Sequence, residues 1–443
     1  MGNALYFVVA DIFVPFFLRV GQHVQAQAGL KPLYLSFLPR DNTWLKQQVP
    51  TVLPRDVYTL DDVVVRSDLI DREGALELLA FMRAKHGGTE AVWLNRLNKV
   101  ASYIQWLFDT NDIRVVVMWN GEDFVGRVLT LFARRAGIKT LFFENGYFSQ
   151  TLQCDAAGIN AASSLVGKDF AQMKLELDQA KQEAATVEPE KPFLPLNKLS
   201  KLHLVMSSAK RNLDRGYYDR FPEQRGSSWL KRKRVEKARS RIPLDIVDLP
   251  SEFIFVPLQV HDDTQVLLNC RHFNTVEQFF EVAYAAIKRN FGEQAKVVVK
   301  EHPEDLCRYS YEDFRKKFPD VLWLKKFDVE KLLDLASCVV LINSSVGLQA
   351  VKRLKPVIVF GDSFYSRDEV AFCVHEMDQI DEVFSRAKKG VDPQMAAQIA
   401  FFVDYLQSVY FFKGTWKSVT SDATTTAAAR VIALARGHIG EQG

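Results

Sequence analysis

Three apolar runs in the second half of the chain each end at polar side chains that could bind a ligand or take part in catalysis. The runs are 253–260, 297–300 and 338–342, and the polar residues at or just after their ends include Gln259, His302 and Asn343. Short runs rich in Val, Ile and Phe predict strands that are buried on both faces of a parallel sheet. Because ligands bind beyond the carboxyl ends of such strands, these ends predict a binding site.

An acidic pair, Asp262 and Asp263, follows the first of these runs. Adjacent side chains on an extended backbone point to opposite sides, so only one of the two is expected to face the ligand. A carboxylate beside a reacting sugar could be a nucleophile, a base or an electrostatic stabiliser. The alternative is an acidic turn that caps the following helix, and the choice between Asp262 and Asp263 is left open.

A second acidic group lies in the first third of the chain. Glu144, Asn145 and Gly146 follow a predicted strand, and Asp155 comes soon afterwards. If folding places this group opposite Asp263, then Glu144, and in second place Asp155, would act as the general acid or base. Asn145 and Gly146 would then contact the substrate. The alternative is two loop turns that carry solvated acids.

Phosphate binding is predicted where the run 338–342 meets a helix. Asn343, Ser344, Ser345 and Gly347 lie at this junction. A serine that caps the helix leaves the first N–H groups directed outward at the positive end of the helix dipole. This geometry binds phosphate. The alternative is a plain helix cap followed by a glycine that allows close packing.

The run 297–300 ends in Lys300, and His302 and Pro303 follow it. Pro303 stops the strand and fixes the turn. His302 is expected to contact a nucleotide phosphate, with Lys300 beside the substrate and Gln259 in the same nucleotide site. The alternative for His302 is a purely structural hydrogen bond.

Strand and helix signals alternate in both halves of the chain, which predicts an α/β protein with two Rossmann-like domains. The predicted domains are an N-terminal acceptor domain at 1–166 and a C-terminal nucleotide-sugar domain at 243–390. A charged, partly helical insertion or linker is expected at 167–242. Residues 391–443 are predicted to be helices, including an aromatic cluster at 410–416, that pack back on the N-terminal domain. The strand at 356–360 is predicted to be the last strand.

Composition excludes several classes of protein. The chain has 443 residues, 48% hydrophobic residues and a net charge of +3, which fits a soluble globular protein and is too small a charge to imply nucleic-acid binding. The five cysteines are scattered with no His partner at metal spacing, so zinc is not expected. Glycine-rich phosphate loops, metalloprotease motifs and a metal-binding DxD set are missing as well. A metal-free mechanism is therefore predicted.

The segment from Lys210 to Arg241 is strongly basic. One interpretation is a solvated linker or helix face. The other is an electrostatic contact with an anionic membrane surface or an acidic glycan.

Several motifs together resemble those of a known family. They are Phe255–Gln265, Val299–Pro303, Asn343–Ala350, Pro356–Gly361, Phe143–Tyr147 and Asp155–Asn160. In these segments the chain resembles the bacterial capsule polysaccharide biosynthesis proteins that act as β-Kdo transferases. The segments span both predicted domains, and the combination is specific although each piece alone is not.

The resemblance implies a GT-B fold, with two Rossmann-like domains facing across a cleft, and a retaining transferase that uses CMP-Kdo. It implies that His302 and the 343–345 turn hold the CMP phosphate. It also implies that Asp263 is the nucleophile that forms a glycosyl–enzyme adduct, with Glu144 as acid/base and Asp155 second in line. The expected partners are the sugar nucleotide and a glycan or glycolipid acceptor. No cofactor is expected, and the expected location is cytoplasmic, peripheral to the inner membrane.

Two other functions stay open on the sequence. One is a transferase that uses another sugar nucleotide, such as CMP-sialic acid or a UDP-sugar. The other is a non-catalytic glycan-binding or export component that keeps the fold without turnover.

Overall fold

The computed structural model describes residues 2–36, 57–59, 63–184, 213, 229–261, 269–416 and 421–437. The chain divides into two compact units. The first comprises 1–167, 175–229 and 408–443, and the second comprises 168–174 and 230–407. Each unit contains one mainly parallel sheet with helices packed on it, which confirms the predicted α/β class with two Rossmann-like units.

The strands, in chain order, are β1 (Asn3–Val8), β2 (Lys31–Ser36), β3 (Val57–Thr59), β4 (Ile113–Trp119), β5 (Lys139–Asn145), β6 (Thr151–Asp155), β7 (Ile254–Pro257), β8 (Val297–Lys300), β9 (Leu322–Leu324), β10 (Cys338–Leu341), β11 (Val357–Val359), β12 (Phe372–Cys373) and β13 (Phe411–Lys413). The helices are α1 (Val14–Ala28), α2 (Arg72–His86), α3 (Glu90–Thr110), α4 (Phe124–Arg135), α5 (Phe170–Ala184), α6 (Trp229–Arg241), α7 (Val276–Phe291), α8 (Glu312–Arg315), α9 (Val329–Leu335), α10 (Ser345–Lys352), α11 (Ile380–Lys388), α12 (Pro393–Tyr405) and α13 (Ser421–Arg436).

The first sheet has the strand order β13-β6-β5-β4-β1-β2-β3. The five strands β5, β4, β1, β2 and β3 pair in parallel with their neighbours. Strand β6 pairs antiparallel with both β5 and β13. The hairpin of β5 and β6 therefore carries the parallel sheet into an antiparallel edge. Glu144 and Asp155 both belong to this hairpin.

Both faces of the first sheet are buried, because alternate residues of each strand enter different cores. In β1, Leu5 and Phe7 pack with side chains of α2, α3 and α4, whereas Ala4 and Tyr6 pack with side chains of α1 and α13. The C-terminal helix α13 thus covers the same face as α1. This double burial explains why β1 is a continuous apolar run rather than an alternating one.

The second sheet has the strand order β12-β11-β10-β7-β8-β9, and all its strands pair in parallel. Helix α7, which crosses from β7 to β8, begins after the Thr275 cap and ends at Gly292, whose φ is 106°. Glycine adopts this backbone conformation without the strain that a side chain would bring. In this strand order β10, β7 and β8 lie side by side in the middle of the sheet.

Two predictions near the C-terminus are wrong. The strand at 356–360 is not the last, because β12 and β13 follow it. The aromatic segment 410–416 is not helical: Phe411–Lys413 forms an edge strand that pairs antiparallel with β6. Its aromatic side chains pack on the hairpin, as shown by Phe412 against Phe143 with ring centroids 6.4 Å apart.

Candidate functional site

The second sheet brings the predicted polar strand ends to one edge. Strand β7 lies between β10 and β8, and the pairing continues past β7, because the Leu258 N–H donates to the Lys300 carbonyl at 3.0 Å. Gln259, His302 and Asn343 therefore follow neighbouring strands at the carboxyl edge of one sheet. This is the edge at which open α/β sheets bind ligands.

Gln259 and Asn343 form a buried bridge between the ends of β7 and β10. Gln259 Nε2 donates to Asn343 Oδ1 at 2.9 Å, and the Asn343 backbone N–H donates to Gln259 Oε1 at 3.0 Å. Asn343 Nδ2 also donates to the carbonyl of Asp362 at 3.0 Å. The two side chains are 5% and 3% exposed. The bridge fixes the spacing of two strand ends, whereas direct contact of either residue with a nucleotide stays a prediction.

Helix α10 begins directly after this bridge. Its N-terminus is capped by Ser344, whose Oγ accepts the Val346 N–H at 3.3 Å, while Ser345 is exposed in the first turn. A Cβ at Gly347 would lie 2.5 Å from the hydroxyl of Tyr365, which donates to the Ser344 carbonyl. The structure thus contains both the serine cap at Ser344 and the close packing at Gly347. The positive end of the helix dipole lies at the same sheet edge, and phosphate binding there stays a prediction.

Lys300 and Glu301 are buried under the turn that follows β8. Burial lowers the pKa of the Lys300 ammonium group, which contacts the Glu301 carbonyl at 3.4 Å. Burial also raises the pKa of the Glu301 carboxyl group, against the effect of its ion pair with Arg315. Lys300 is only 6% exposed, so the structure places it beneath the edge rather than on its surface.

His302 and Pro303 start the turn itself. His302 Nδ1 accepts the Glu304 N–H at 3.1 Å, so we assign the proton of the neutral ring to Nε2. Arg239 of α6 donates to both carboxylate oxygens of Glu304 at 2.9 Å, and these hydrogen bonds lower the pKa of the Glu304 carboxyl group. Pro303 is exposed. The turn thus holds His302 in the tautomer that donates through Nε2.

Asp305 of the same turn pairs with His261, which follows β7, and the sequence did not predict this pair. His261 Nδ1 lies 2.7 Å from Asp305 Oδ1, and the His261 backbone N–H donates to Oδ2 at 3.0 Å. The Tyr311 hydroxyl donates to the same Oδ2 at 3.0 Å. The side chain of Asp305 is fully buried. The available signal was weak: His261 lies in the polar segment after β7, and Asp305 follows His302 by three positions.

The His261 ring is also held on its face. It stacks on Tyr309 with ring centroids 4.4 Å apart and an angle of 15° between the planes. The Tyr309 hydroxyl in turn donates to Glu277 Oε1 at 2.6 Å, and this hydrogen bond raises the pKa of Tyr309 to about 12. His261 is therefore fixed in position and in rotation.

Asp262 and Asp263 lie outside the described residues, in the segment 262–268. The predicted nucleophile and its acidic neighbour therefore stay predictions.

Glu144 lies at the end of β5 in the first unit. Asn120 Nδ2 donates to Glu144 Oε2 at 2.8 Å, and Asn145 donates to Oε1 through its backbone N–H at 2.7 Å and its side-chain amide at 2.9 Å. Burial raises the pKa of the Glu144 carboxyl group, and hydrogen bonds from Asn120, Asn145 and Trp119 offset this only in part. A carboxyl group in this state exchanges protons closer to neutral pH than an ordinary glutamate does.

The turns around Glu144 depend on backbone geometry. Asn120 ends β4 with a φ of 62°, in the left-handed region that asparagine tolerates, and its Oδ1 accepts the Glu122 N–H at 3.0 Å. Gly146 closes the hairpin by donating its N–H to the Thr151 carbonyl at 2.8 Å. Glycine is needed here because a Cβ would overlap the Thr151 side chain. Asn145 is exposed, and its Oδ1 accepts the indole N–H of Trp416 at 3.1 Å. Contact of Asn145 or Gly146 with a substrate stays a prediction.

Asp155 is not in a solvated loop turn but ends β6, where it is 4% exposed. Its carboxylate accepts the Ala157 N–H at 2.8 Å, the Ser164 N–H at 2.9 Å and the Ser164 hydroxyl at 2.8 Å. The hydroxyl of Tyr410 donates to it as well, at 3.0 Å. Four donors converge on this carboxylate, an arrangement suited to holding the loop after β6. The catalytic role of Asp155 stays a prediction.

Among the residues that the structure describes, one group of side chains of the metal-ligating types lies in the second unit. The ligand atoms of Asp368, Cys373 and His375 lie within 4.8 Å of one another. The expectation that no cysteine has a histidine partner is wrong here, because Cys373 and His375 belong to this group. Asp368 and His375 are exposed, and such groups are common without an ion, so the metal-free expectation stays a prediction.

Comparison with known proteins places the chain in a family. A family model described as "Capsule polysaccharide biosynthesis protein" matches residues 114–372, which is more than half of the 443 residues. The chain belongs to the capsule polysaccharide biosynthesis family. The match runs from β4 to β12, so it includes Glu144, Asp155 and all the polar strand ends of the second sheet. The family suggested by the sequence motifs is thereby confirmed.

This capsule polysaccharide biosynthesis protein is similar to several known proteins. FixF of Sinorhizobium fredii is 26% identical over 350 residues, which is 77% of this chain and 69% of FixF. The capsule polysaccharide export protein KpsS of Escherichia coli is 24% identical over 249 residues, which is 53% of this chain and 63% of KpsS. A solved KpsC β-Kdo 2,7 transferase of Thermosulfurimonas dismutans matches with a TM-score of 0.40 and 13% identity, over 98% of this chain and 99% of that one.

Of the basic segment of this family member, residue 213 and residues 229–241 are described, and the latter form helix α6. In that helix Lys233 pairs with Glu236 at 2.5 Å, and Arg239 binds the turn after β8. Within the described ranges, every helix is too short or too polar to cross a bilayer. Contact of the segment from Lys210 to Arg241 with an anionic membrane surface stays a prediction.

Proposed function

We propose that this family member is a retaining glycosyltransferase that moves Kdo from CMP-Kdo onto a lipid-linked or surface polysaccharide acceptor. The observation that carries the proposal is the placement of Gln259, His302 and Asn343 at the carboxyl edge of one parallel sheet, in a chain of the capsule polysaccharide biosynthesis family. Synthesis of a polysaccharide requires enzymes that transfer sugars from activated donors. A nucleotide site in such a chain favours this activity over a structural role.

In this proposal the second unit binds the nucleotide. The N-terminus of α10 would hold the phosphate with its outward N–H groups, and His302 would donate to a phosphate oxygen through Nε2. The buried bridge of Gln259 and Asn343 keeps the two strand ends at a fixed spacing. These groups supply hydrogen bonds and partial positive charge to the leaving phosphate without a metal ion.

Two carboxylates carry out the proposed reaction, Asp263 as the nucleophile and Glu144 as the acid/base. The carboxylate of Asp263 would attack the anomeric carbon while the bond to the CMP phosphate breaks, which leaves a glycosyl–enzyme adduct. An acceptor hydroxyl would then attack the same carbon and release Asp263, while its proton passes to ionised Glu144. Two displacements retain the configuration. The raised pKa of Glu144 supports its role, since a base works best when its pKa lies near the working pH.

Asp155 is proposed to position the loop rather than to transfer protons. Its four hydrogen bonds engage both carboxylate oxygens. Glu144 is therefore the acid/base in this account.

The proposed place of action is the cytoplasmic face of the inner membrane. The basic composition of the segment from Lys210 to Arg241 supports contact with anionic lipid. Co-sedimentation with anionic vesicles should decrease with added salt, and binding that is indifferent to salt would count against this contact.

A second candidate function is a non-catalytic export component. The likeness to KpsS, which is named as an export protein, favours it. This candidate predicts that CMP-Kdo is not consumed.

Thermal-shift measurements with CMP, UDP and GDP test the donor class, because a ligand that binds only the folded state raises the melting temperature. CMP should give the largest shift. A larger shift with UDP would favour a UDP-sugar donor. Asp263→Asn should abolish transfer while CMP still raises the melting temperature, and normal turnover by this variant would remove Asp263 from the mechanism.

A further inference from the structure

We propose that the His261 ring binds a phosphate oxygen of the nucleotide through Nε2, and that Asp305 is the residue that positions it. The proposal rests on the proposed nucleotide site in the second unit. It adds a phosphate contact to those proposed above for His302 and the N-terminus of helix α10.

The first argument is the fixed direction of the ring. Nδ1 lies 2.7 Å from Asp305 Oδ1, and because a carboxylate accepts hydrogen bonds, we assign the ring hydrogen to Nδ1. A phosphate oxygen bound through Nε2 needs a second ring hydrogen there, so the proposed contact is made by the imidazolium form of His261. A carboxylate on Nδ1 is the usual means by which a protein sets which ring nitrogen faces a ligand.

The second argument is rigidity. Asp305 accepts the His261 backbone N–H and the Tyr311 hydroxyl in addition to the ring, and Tyr309 stacks on the ring face at 4.4 Å. Tyr309 is itself fixed by Glu277. A side chain held in this way loses little conformational freedom when a ligand binds, which favours binding.

The third argument is position. The Asp305 backbone N–H donates to the His302 carbonyl at 3.0 Å, so the turn that carries His302 also carries the carboxylate that orients His261. The two rings have opposite hydrogen-bond arrangements: Nδ1 accepts in His302 and donates in His261. In this proposal His302 donates to the phosphate as a neutral ring, whereas His261 binds it as an imidazolium. Together they would bind an anion more strongly than either ring alone.

The competing explanation is structural. A buried carboxylate must be hydrogen bonded, and in this explanation His261 is there to satisfy Asp305 and does not contact a ligand. A test must therefore remove Nε2 while it keeps the hydrogen bond to Asp305. His261→Asn does so, because the asparagine amide nitrogen can take the place of Nδ1 and the rest of the ring is lost.

The binding of CMP and of cytidine to wild type and to His261→Asn would be measured by calorimetry. Cytidine has no phosphate, so its affinity should not change. The affinity for CMP should fall about 10- to 100-fold, the effect expected for loss of a hydrogen bond to a charged group. UMP and uridine form a parallel pair in case the base is not cytosine.

Asp305→Asn and the control variant Tyr284→Phe separate positioning from stability. Asp305→Asn should weaken CMP but not cytidine, and the ¹⁵N resonances of the His261 ring should show a changed distribution of the proton between Nδ1 and Nε2. Tyr284→Phe removes a hydrogen bond to Asp320 that takes no part in holding His261. It should leave the ratio of CMP to cytidine affinity unchanged, whatever its effect on the melting temperature.

The outcomes are distinguishable. If wild type binds CMP and His261→Asn binds it equally well, His261 does not contact phosphate, and the proposed function stands without it. An equal loss of CMP and cytidine affinity would likewise refute a phosphate contact. If wild type binds none of the nucleotides, the proposed nucleotide site is wrong and this proposal fails with it.

Discussion

The bridge of Gln259 and Asn343 should be worth several kcal/mol to the second unit, and Gln259→Met measures it. Methionine has nearly the length of glutamine and fills the same space without hydrogen bonding. The substitution removes the acceptor of the Asn343 backbone N–H and the donor to Asn343 Oδ1, at 3.0 and 2.9 Å. Both groups are buried, and each such group left without this partner costs roughly 1–3 kcal/mol. The expected loss in free energy of unfolding is therefore about 2–6 kcal/mol.

Hydrogen exchange followed by mass spectrometry suits this measurement, because the chain has two units and a single unfolding transition is not assured. Peptides from β7 and β10 report the opening of the second sheet. A loss of about 2 kcal/mol or more should speed their slowest amides by at least about 30-fold. Peptides from β1 and β4 belong to the first unit and should exchange as in wild type.

Gln398→Met on α12 is the matched control. It makes the same chemical change on a half-buried helix face and should change the free energy by no more than about 0.5 kcal/mol. If Gln259→Met accelerates exchange no more than Gln398→Met does, the bridge does not hold the strand ends together. The assignment of Gln259 and Asn343 to the support of the site would then be refuted.

Three further perturbations test other parts of the account. Glu144→Gln should slow transfer about 100- to 10,000-fold with CMP affinity unchanged. In wild type the rate should fall as the pH drops through the raised pKa of Glu144, because only the ionised carboxylate accepts the proton. A pH profile without this decrease would argue against the role of Glu144. Asp155→Asn replaces one carboxylate oxygen by an amide N–H₂ group, so at least one of the four donors loses its acceptor. Hydrogen exchange in residues 151–164 should show that the free energy of opening falls by about 1–3 kcal/mol. Unchanged protection would contradict these contacts. Gly347→Ala should destabilise the second unit by about 1–3 kcal/mol, since its Cβ would lie 2.5 Å from the Tyr365 hydroxyl. Tyr365→Phe should recover part of that loss in thermal melts, and no recovery in the double variant would assign the strain elsewhere.

The sequence predicts the strands and helices of both units well where the pattern is local. Helix α7 has the predicted bounds of 276–291, because a threonine cap and a glycine end it in the sequence itself. The buried strands β7, β8 and β10 are recognisable as apolar runs because both faces of the sheet are covered. The family resemblance follows from the same segments, since they carry the polar residues at the strand ends.

Non-local contacts could not be predicted in this way. Strand β13 has three residues, and its partner β6 lies far away in the sequence, so an aromatic cluster gives no sign of the pairing. The Tyr410 hydroxyl that buries Asp155 comes from 255 residues away. His261 and Asp305 are 44 residues apart, and spacing alone does not show that one orients the other. These contacts arise when separate elements pack, which is where sequence patterns lose their power.

The most direct test of the central claim is the release of CMP from CMP-Kdo by wild type and by Glu144→Gln, with a capsule glycolipid acceptor present. The account predicts acceptor-dependent release of CMP by wild type, a product with the configuration of the donor, and a rate at least about 100-fold lower in the variant. CMP-Kdo that remains intact with wild type and acceptor would contradict the claim that this chain is a Kdo transferase.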